Sequence, residues 1–197
     1  MLYANNDGQK ILATPGAQGT CPSCNAPAVP KCGTIKVWHW AHEYLDQCDT
    51  WSEGETDWHL MWKTSFPQGN VEVPIIHDMQ RHIADVLINN TVIECQHSPI
   101  SVEEIREREE FYGKMMWLFD MTDNDHIELT TKSAHVTFRW KHPKKTLWSI
   151  KKPLYLDLGH GILRVKKIHE DLPCRGWGFF LTYDEFKRFV GNVTRFS

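Results

Sequence analysis

The chain has nothing close to the ~18 consecutive apolar residues that a membrane span requires, so no spanning helix is expected. Its first residues, MLYANNDGQKILA, lack the basic-then-apolar order of a secretory leader. No internal repeat and no low-complexity tract interrupts the 197 residues, which argues against a solenoid. These absences predict a cytoplasmic protein. In that reducing compartment, six cysteines are expected to be free or metal-bound rather than paired. The 41% hydrophobic content fits one ordinary globular domain, or a compact domain with a small appendage.

Net charge is small, but charge is unevenly placed. The net charge is −3, yet residues 132–167 hold ten Lys or Arg and a single acid, Asp157. That segment is +9 and the rest of the chain is −12. Phe138, Trp140, Trp148 and Tyr155 are interleaved with its bases. Such a stripe can track phosphates and offer stacking surfaces, or it can be a solvated face whose aromatics turn inward. Within it, Lys144, Lys145, Lys151 and Lys152 are the candidate DNA-backbone contacts.

Pattern and caps divide the chain into residues 1–50, 51–125 and 126–197. The first part is rich in Gly, Pro, Ala and Cys and has no long periodic segment, so it needs an external staple. Glu53 to Phe66 has Trp58, Met61, Trp62 and Ser65 at helical spacing, and Pro67 stops it. Val71–Ile76 is a short strand, followed by strands ending near Asp85 and near Glu94. Between those two, Asn89-Asn90 is a hairpin signal, because Asn tolerates left-handed backbone. Ser101-x-x-Glu104 is a capping box opening a charged helix to about Lys114, and Met115–Phe119 is an apolar strand. Short strands and a helix over Tyr183–Val190 complete a basic, β-rich extension.

Cys21-Pro-Ser-Cys24 followed by His39-Trp-Ala-His42 has the form C-x2-C-x14-H-x2-H. Two thiolates on a tight knuckle and two imidazoles can close a tetrahedral zinc shell. H-x2-H is shorter than the usual spacing, so Cys48, and less readily Cys32, stand as alternative ligands. Cys95 lies between Glu94 and Gln96 on its strand and should face the core.

Adjacent antiparallel strands would bring Asp85 and Glu94 close enough to share one hard cation, Mg²⁺ or Mn²⁺. An acid followed by Glu-x-Gln at the next strand end resembles the metal-dependent nuclease core written PD-(D/E)XK, with Gln96 at the usual lysine position. The order helix, three strands, helix, strand agrees with that core. The wider ordered set is CPSC, HWAH, Glu55-x-x-x-His59-x-x-x-Lys63, HIADV, IECQHSPIS and Arg108-x-x-x-Tyr112. It is similar to the CoiA-like competence protein family over roughly residues 20–120.

That resemblance implies an α+β fold: an N-terminal zinc module and a PD-(D/E)XK restriction-endonuclease-like core of mixed sheet flanked by helices, with the β-rich C-terminal extension lying outside it. It also implies DNA processing, with recombination proteins as partners. The Glu55/His59/Lys63 face would turn toward the metals, Glu55 or His59 adding a ligand and Lys63 meeting the scissile phosphate; a solvated i,i+4 network is the plainer alternative. The Cys95 carbonyl would join the metal shell, and Arg108 and Tyr112 would contact DNA or pack. Arg81-His82 departs from the paired arginines of many members. Gln96 can orient a water or bond a phosphate oxygen but lends no positive charge. The expected activity is a Mg²⁺- or Mn²⁺-dependent DNA endonuclease. The rivals are a non-cleaving DNA-binding recombination accessory and a protein–protein adaptor built on the zinc module.

Overall fold

Asp7 and Gly8 both adopt left-handed backbone, the type I′ turn that Asp-Gly favours, and fold the first residues into a hairpin of β1 (Tyr3–Asn6) and β2 (Gln9–Leu12). The computed structural model of the chain describes residues 1–44, 48–51, 54–123, 126–171 and 173–191. Two compact units emerge, Met1–Leu87 and Ile88–Ser197.

In the first unit, the hairpin continues through β3 (Gly19–Thr20), β4 (Pro27–Lys31) and β5 (His39–His42). Together they make a five-stranded antiparallel sheet in the order β2-β1-β3-β4-β5. Its core is small: Ala4, Ala13 and Ala28 around Trp40. A second cluster of Leu2, Tyr3 and Val71 takes in Leu60 and Phe66. Helix α1 (Asp57–Thr64) starts where the Thr56 side chain accepts from the His59 N–H. Trp58 and Trp62, four apart, supply its buried stripe. Strands β6 (Val71–His77) and β7 (Gln80–Ile88) form a hairpin whose turn residues, Asp78 and Met79, are again left-handed.

The second unit begins at the expected Asn89-Asn90 turn, both residues left-handed. Strand β8 (Thr91–Gln96), helix α2 (Val102–Tyr112) and strand β9 (Met115–Asp120) form a parallel crossover, with Val92 opposite Met115 and Gln96 opposite Phe119. The capping box is complete: Ser101 accepts from the Glu104 N–H, and the Glu104 carboxylate accepts from the Ser101 N–H. The remaining strands are β10 (Ile127–Thr131), β11 (Val136–Trp140), β12 (Leu154–Asp157), β13 (Ile162–His169) and β14 (Cys174–Leu181). Within this unit they pair in the order β10-β11-β14-β13-β12-β9-β8. β12 is parallel to β9 and the other new pairs are antiparallel, so the sheet is mixed.

Helix α3 (Tyr183–Gly191) closes the described chain, as the sequence predicts to within a residue. Trp117, Leu118, Phe119, Ile93, Leu156 and Leu163 fill the core. One buried carboxylate ties α2 to the segment entering β12. Glu109 accepts from the Trp117 indole at 3.1 Å and from the backbone N–H groups of Lys151 and Lys152, each at 3.0 Å. The protein is thus α+β. Among the described residues, no helix is long and apolar enough to cross a membrane.

Candidate metal centre

Cys21 follows β3 and opens a tight knuckle. Its N–H donates to the Ala26 carbonyl, the Asn25 N–H donates to the Cys21 carbonyl, and the Ser23 N–H points at the Cys21 Sγ at 3.4 Å. Asn25 is left-handed, which closes the turn into β4. His42 ends β5, and Cys48 completes the group. One donor atom from each of these four residues lies within 4.8 Å of every other. Cys21 Sγ is 3.6 Å from Cys48 Sγ, and Cys24 Sγ is 3.3 Å from His42 Nε2. Zinc bonds of about 2.3 Å to sulfur and about 2.0 Å to nitrogen put tetrahedral S···S pairs ~3.8 Å and S···N pairs ~3.5 Å apart. The donor set therefore fits a zinc ion.

Electrostatics says the same. Burial, then the neighbouring Cys21 and Cys24 sulfurs, pushes the Cys48 thiol up to about 12. Burial raises Cys21 as well. Cys24 is pulled below its ordinary value against burial, by the Ala26 backbone and by the two neighbouring thiols. Three crowded thiols resist full ionisation until a cation enters.

His39 is not in this group. It lies three residues from His42 on the same strand, so the two side chains leave on opposite faces, and His39 Nδ1 sits 2.8 Å from the Val37 carbonyl. Cys48, the alternative in the sequence, takes the fourth position. Cys32 packs beside the Trp40 cluster.

The Glu55/His59/Lys63 set is buried rather than a solvated face. Glu55 precedes the helix, with Thr56 as the cap. Lys63 Nζ lies 2.9 Å from Glu55, 3.0 Å from Glu72 and 3.0 Å from Asp85. Burial opposes its charge, but Asp85, Glu72 and Glu55 hold the ammonium well above its ordinary range. Glu55 stays below the usual carboxylate range despite burial, because Lys63 faces it. Its second oxygen, Oε2, is buried with no hydrogen-bond partner among the described residues. His59 Nδ1 lies 2.9 Å from the Thr56 hydroxyl.

Glu72 was not singled out in the sequence. Its backbone is left-handed, and its carboxylate accepts from the N–H groups of Leu2 at 2.6 Å and Tyr3 at 2.9 Å. The signal was available: Val71 pairs with Val86 and Val73 with Ala84, so a hairpin turning at Asp78-Met79 sets Glu72 against Asp85. His82 is a structural tie, stacked on Trp51 and 2.8 Å from Asp49.

In the second unit, Glu94 and Gln96 share one face of β8 and converge on Arg108, each 3.2 Å from its Nη1. Arg108 is buried by these contacts and by Trp117, with its guanidinium 6.0 Å from that ring. Cys95 is buried, as expected. His97 lies just beyond β8 and meets Asp120 at 2.7 Å. Of the candidate DNA-contact lysines, Lys145 and Lys151 are exposed and Lys144 and Lys152 half-buried. Burial lowers the Lys144 pKa, with Asp120 opposing. Phe138, Trp140 and Tyr155 are buried, so the stacking surface expected from them does not form.

No curated protein and no solved structure gives a significant match to the chain. Residues 5–50 match the family described as Competence protein CoiA, N-terminal domain. That stretch contains the knuckle, β5 and Cys48, and is the part of this chain similar to the CoiA N-terminal domain, with a cysteine–histidine cluster that fits a zinc module.

Proposed function

We propose that this protein is a cytoplasmic, Mg²⁺- or Mn²⁺-dependent DNA endonuclease with a PD-(D/E)XK-type core and a structural zinc held by Cys21, Cys24, His42 and Cys48. The observation that carries the reading is the carboxylate group around Lys63. Glu55 Oε2 is buried without a hydrogen-bond partner among the described residues, and Asp85 beside it retains about a fifth of its side-chain exposure. A buried anionic oxygen lacking a donor is costly, and a hard cation would satisfy it. The chain order α1, β6, β7, β8, α2, β9 and the parallel β8–β9 crossover support the nuclease reading.

Within the first unit, Glu55 and Asp85 would hold the cation. The cation would supply a hydroxide near neutral pH and neutralise charge on the phosphoryl oxygens. Lys63 orients Glu55 and Asp85 and keeps Glu55 ionised despite its burial. Gln96, its amide oxygen bonded to Arg108, positions that guanidinium against Glu94. DNA is the proposed partner, with recombination proteins downstream.

A second reading, a DNA-binding accessory that does not cut, draws on one observation. Glu94 is buried and already bonded to Arg108, so it would have to release that cation to bind another. Incubating the protein with Mg²⁺ or Mn²⁺ and plasmid, linear, single-stranded and four-way-junction DNA separates the two. Cleavage lost in both Asp85→Ala and Glu94→Ala supports the nuclease. Cleavage at wild-type rate in both variants would move the site elsewhere, and binding with no cutting by the wild type would favour the accessory.

A further inference from the structure

Strand β14 reads Cys174-Arg-Gly-Trp-Gly-Phe, and its two faces are reversed from ordinary patterning. The core-facing positions Gly176 and Gly178 carry no side chain, while Trp177 and Phe179 face solvent at 37% and 36% exposure. The glycines are required: a Cβ on Gly176 would lie 2.3 Å from the Lys167 carbonyl and from the Phe138 ring, and one on Gly178 would lie 2.1 Å from the Arg164 carbonyl. Phe138 thus fills the core side, and core packing does not account for the outward aromatics. A strand that buries glycine and exposes tryptophan forgoes apolar burial at both positions.

The surroundings say what those rings face. Register sets Thr137 and Lys167 beside Trp177, and Arg139 and His169 beside Arg175. A bulge between Val165 and Lys167 sets Lys166 next to Phe179, its ammonium 5.9 Å from the ring. The Trp177 and Phe179 rings stand 6.0 Å apart at 78°. Over Arg139, Arg175, His169 and Trp177 lies an open groove of about 790 Å³. Two acids border it. Glu128 is paired with Lys141 at 3.1 Å, and Asp171 is exposed at the rim. Toward β12 the sheet face meets α3, where Arg164 lies 4.9 Å from the Phe189 ring.

We propose that this face of β11, β14 and β13 binds single-stranded nucleic acid, with Trp177 and Phe179 stacking on bases and Arg139, Arg175, Lys166 and Lys167 meeting phosphates. Bases offer flat π-faces to exposed rings only when unpaired, and phosphates match the guanidinium and ammonium groups interleaved with them. Duplex DNA conceals its base faces and can use the cations alone. An acidic peptide supplies negative charge but no planar partner for two adjacent rings. Lys166 and Lys167 also line a cavity with Lys151 and Lys152, so the surface adjoins those two lysines, and it acts whether or not the Lys63 carboxylates support cutting.

The test is fluorescence anisotropy on the full chain with no added divalent cation. The probes are a labelled oligothymidylate, a blunt duplex of equal length and a poly-glutamate of similar charge. The oligothymidylate is expected to bind several-fold more tightly than the duplex. Trp177→Ala should weaken it by roughly 5- to 150-fold, the range of one lost base–aromatic stack, while Trp177→Phe retains most of the affinity. Arg175→Glu should weaken it and lower the salt slope by roughly 0.7. Zinc content and melting temperature should stay at wild-type values, because both side chains are exposed. The proposal fails if Trp177→Ala binds oligothymidylate within about twofold of wild type. It also fails if the duplex is equally sensitive to that change, or if poly-glutamate competes as well as the oligonucleotide.

Discussion

The five-stranded sheet of the first unit packs three alanines around Trp40, whereas the second unit buries Ile93, Trp117, Leu118, Phe119, Leu156 and Leu163. Full burial of one large apolar side chain is worth about 1.5–3 kcal/mol, and alanine contributes far less. The second sheet has enough of them to stand on packing. The first does not, and it is the one that holds the cysteine–histidine cluster. Where apolar volume is short, a metal cross-link can replace it, because the ion binds only the folded arrangement.

Three changes would break that comparison if it is wrong. The largest effect is expected from Cys24→Ser or Cys48→Ser. Structural zinc contributes on the order of 10 kcal/mol to folding, so either variant should lose its metal and unfold the first sheet. Zinc analysis beside hydrogen exchange of residues 3–42 checks this; a metal-free variant with native protection there would show that the alanine core suffices. Next is Trp117→Ala in the second unit, expected to cost about 3–5 kcal/mol in urea unfolding while leaving zinc content unchanged. Smallest is His39→Ala, which should retain the metal, since its ring faces away from the cluster.

Two more predictions sharpen the contrast between packing and charge. Lys63→Met removes the ammonium shared by three carboxylates and should cost about 3–5 kcal/mol at neutral pH. In the wild type, the lowered Glu55 pKa stabilises the fold above the unfolded carboxylate range, and this is lost as pH falls through the lowered value. In Lys63→Met, Glu55 loses the cation that lowers it and faces Asp85 alone, so the gap between variant and wild type should narrow from pH ~7 to pH ~4. Urea unfolding at both pH values measures it; a constant gap would mean that Lys63 acts through its carbon chain. Ser101→Ala should cost about 1 kcal/mol through the lost cap of α2, and a change near zero would leave Glu104 as the sole effective cap.

Legibility followed locality. Caps and turns depend on neighbours in sequence, so the Ser101/Glu104 box, the Asn89-Asn90 turn and the last helix were visible beforehand. The knuckle was visible for the same reason. The fourth ligand was not settled, because C-x2-C-x14-H-x2-H does not reveal that both histidines occupy one strand, whose period of two separates them. Glu72 escaped notice because its role arises from hairpin register and from the Leu2 and Tyr3 backbone, about 70 positions away. The basic stripe was read correctly as charge. Its aromatics stayed open between stacking surface and core, and period-two alternation sends Phe138 and Trp140 inward while the exposed rings lie on β14, outside the stripe. Arg108 stayed open between DNA contact and packing, because its partners, Glu94 and Gln96, come from a different element.

Glu109 has one more effect, on the timescale of proton exchange. The amides of Lys151 and Lys152 donate into a carboxylate that is itself buried beside Trp117. Neither residue belongs to a strand or helix, and the Lys151 side chain stands in solvent. Their amide protons should nonetheless exchange with deuterium as slowly as those of the sheet, because release requires α2 to part from the segment that leads into β12. A surface segment rich in lysine would then carry two of the slow reporters of the second unit's opening.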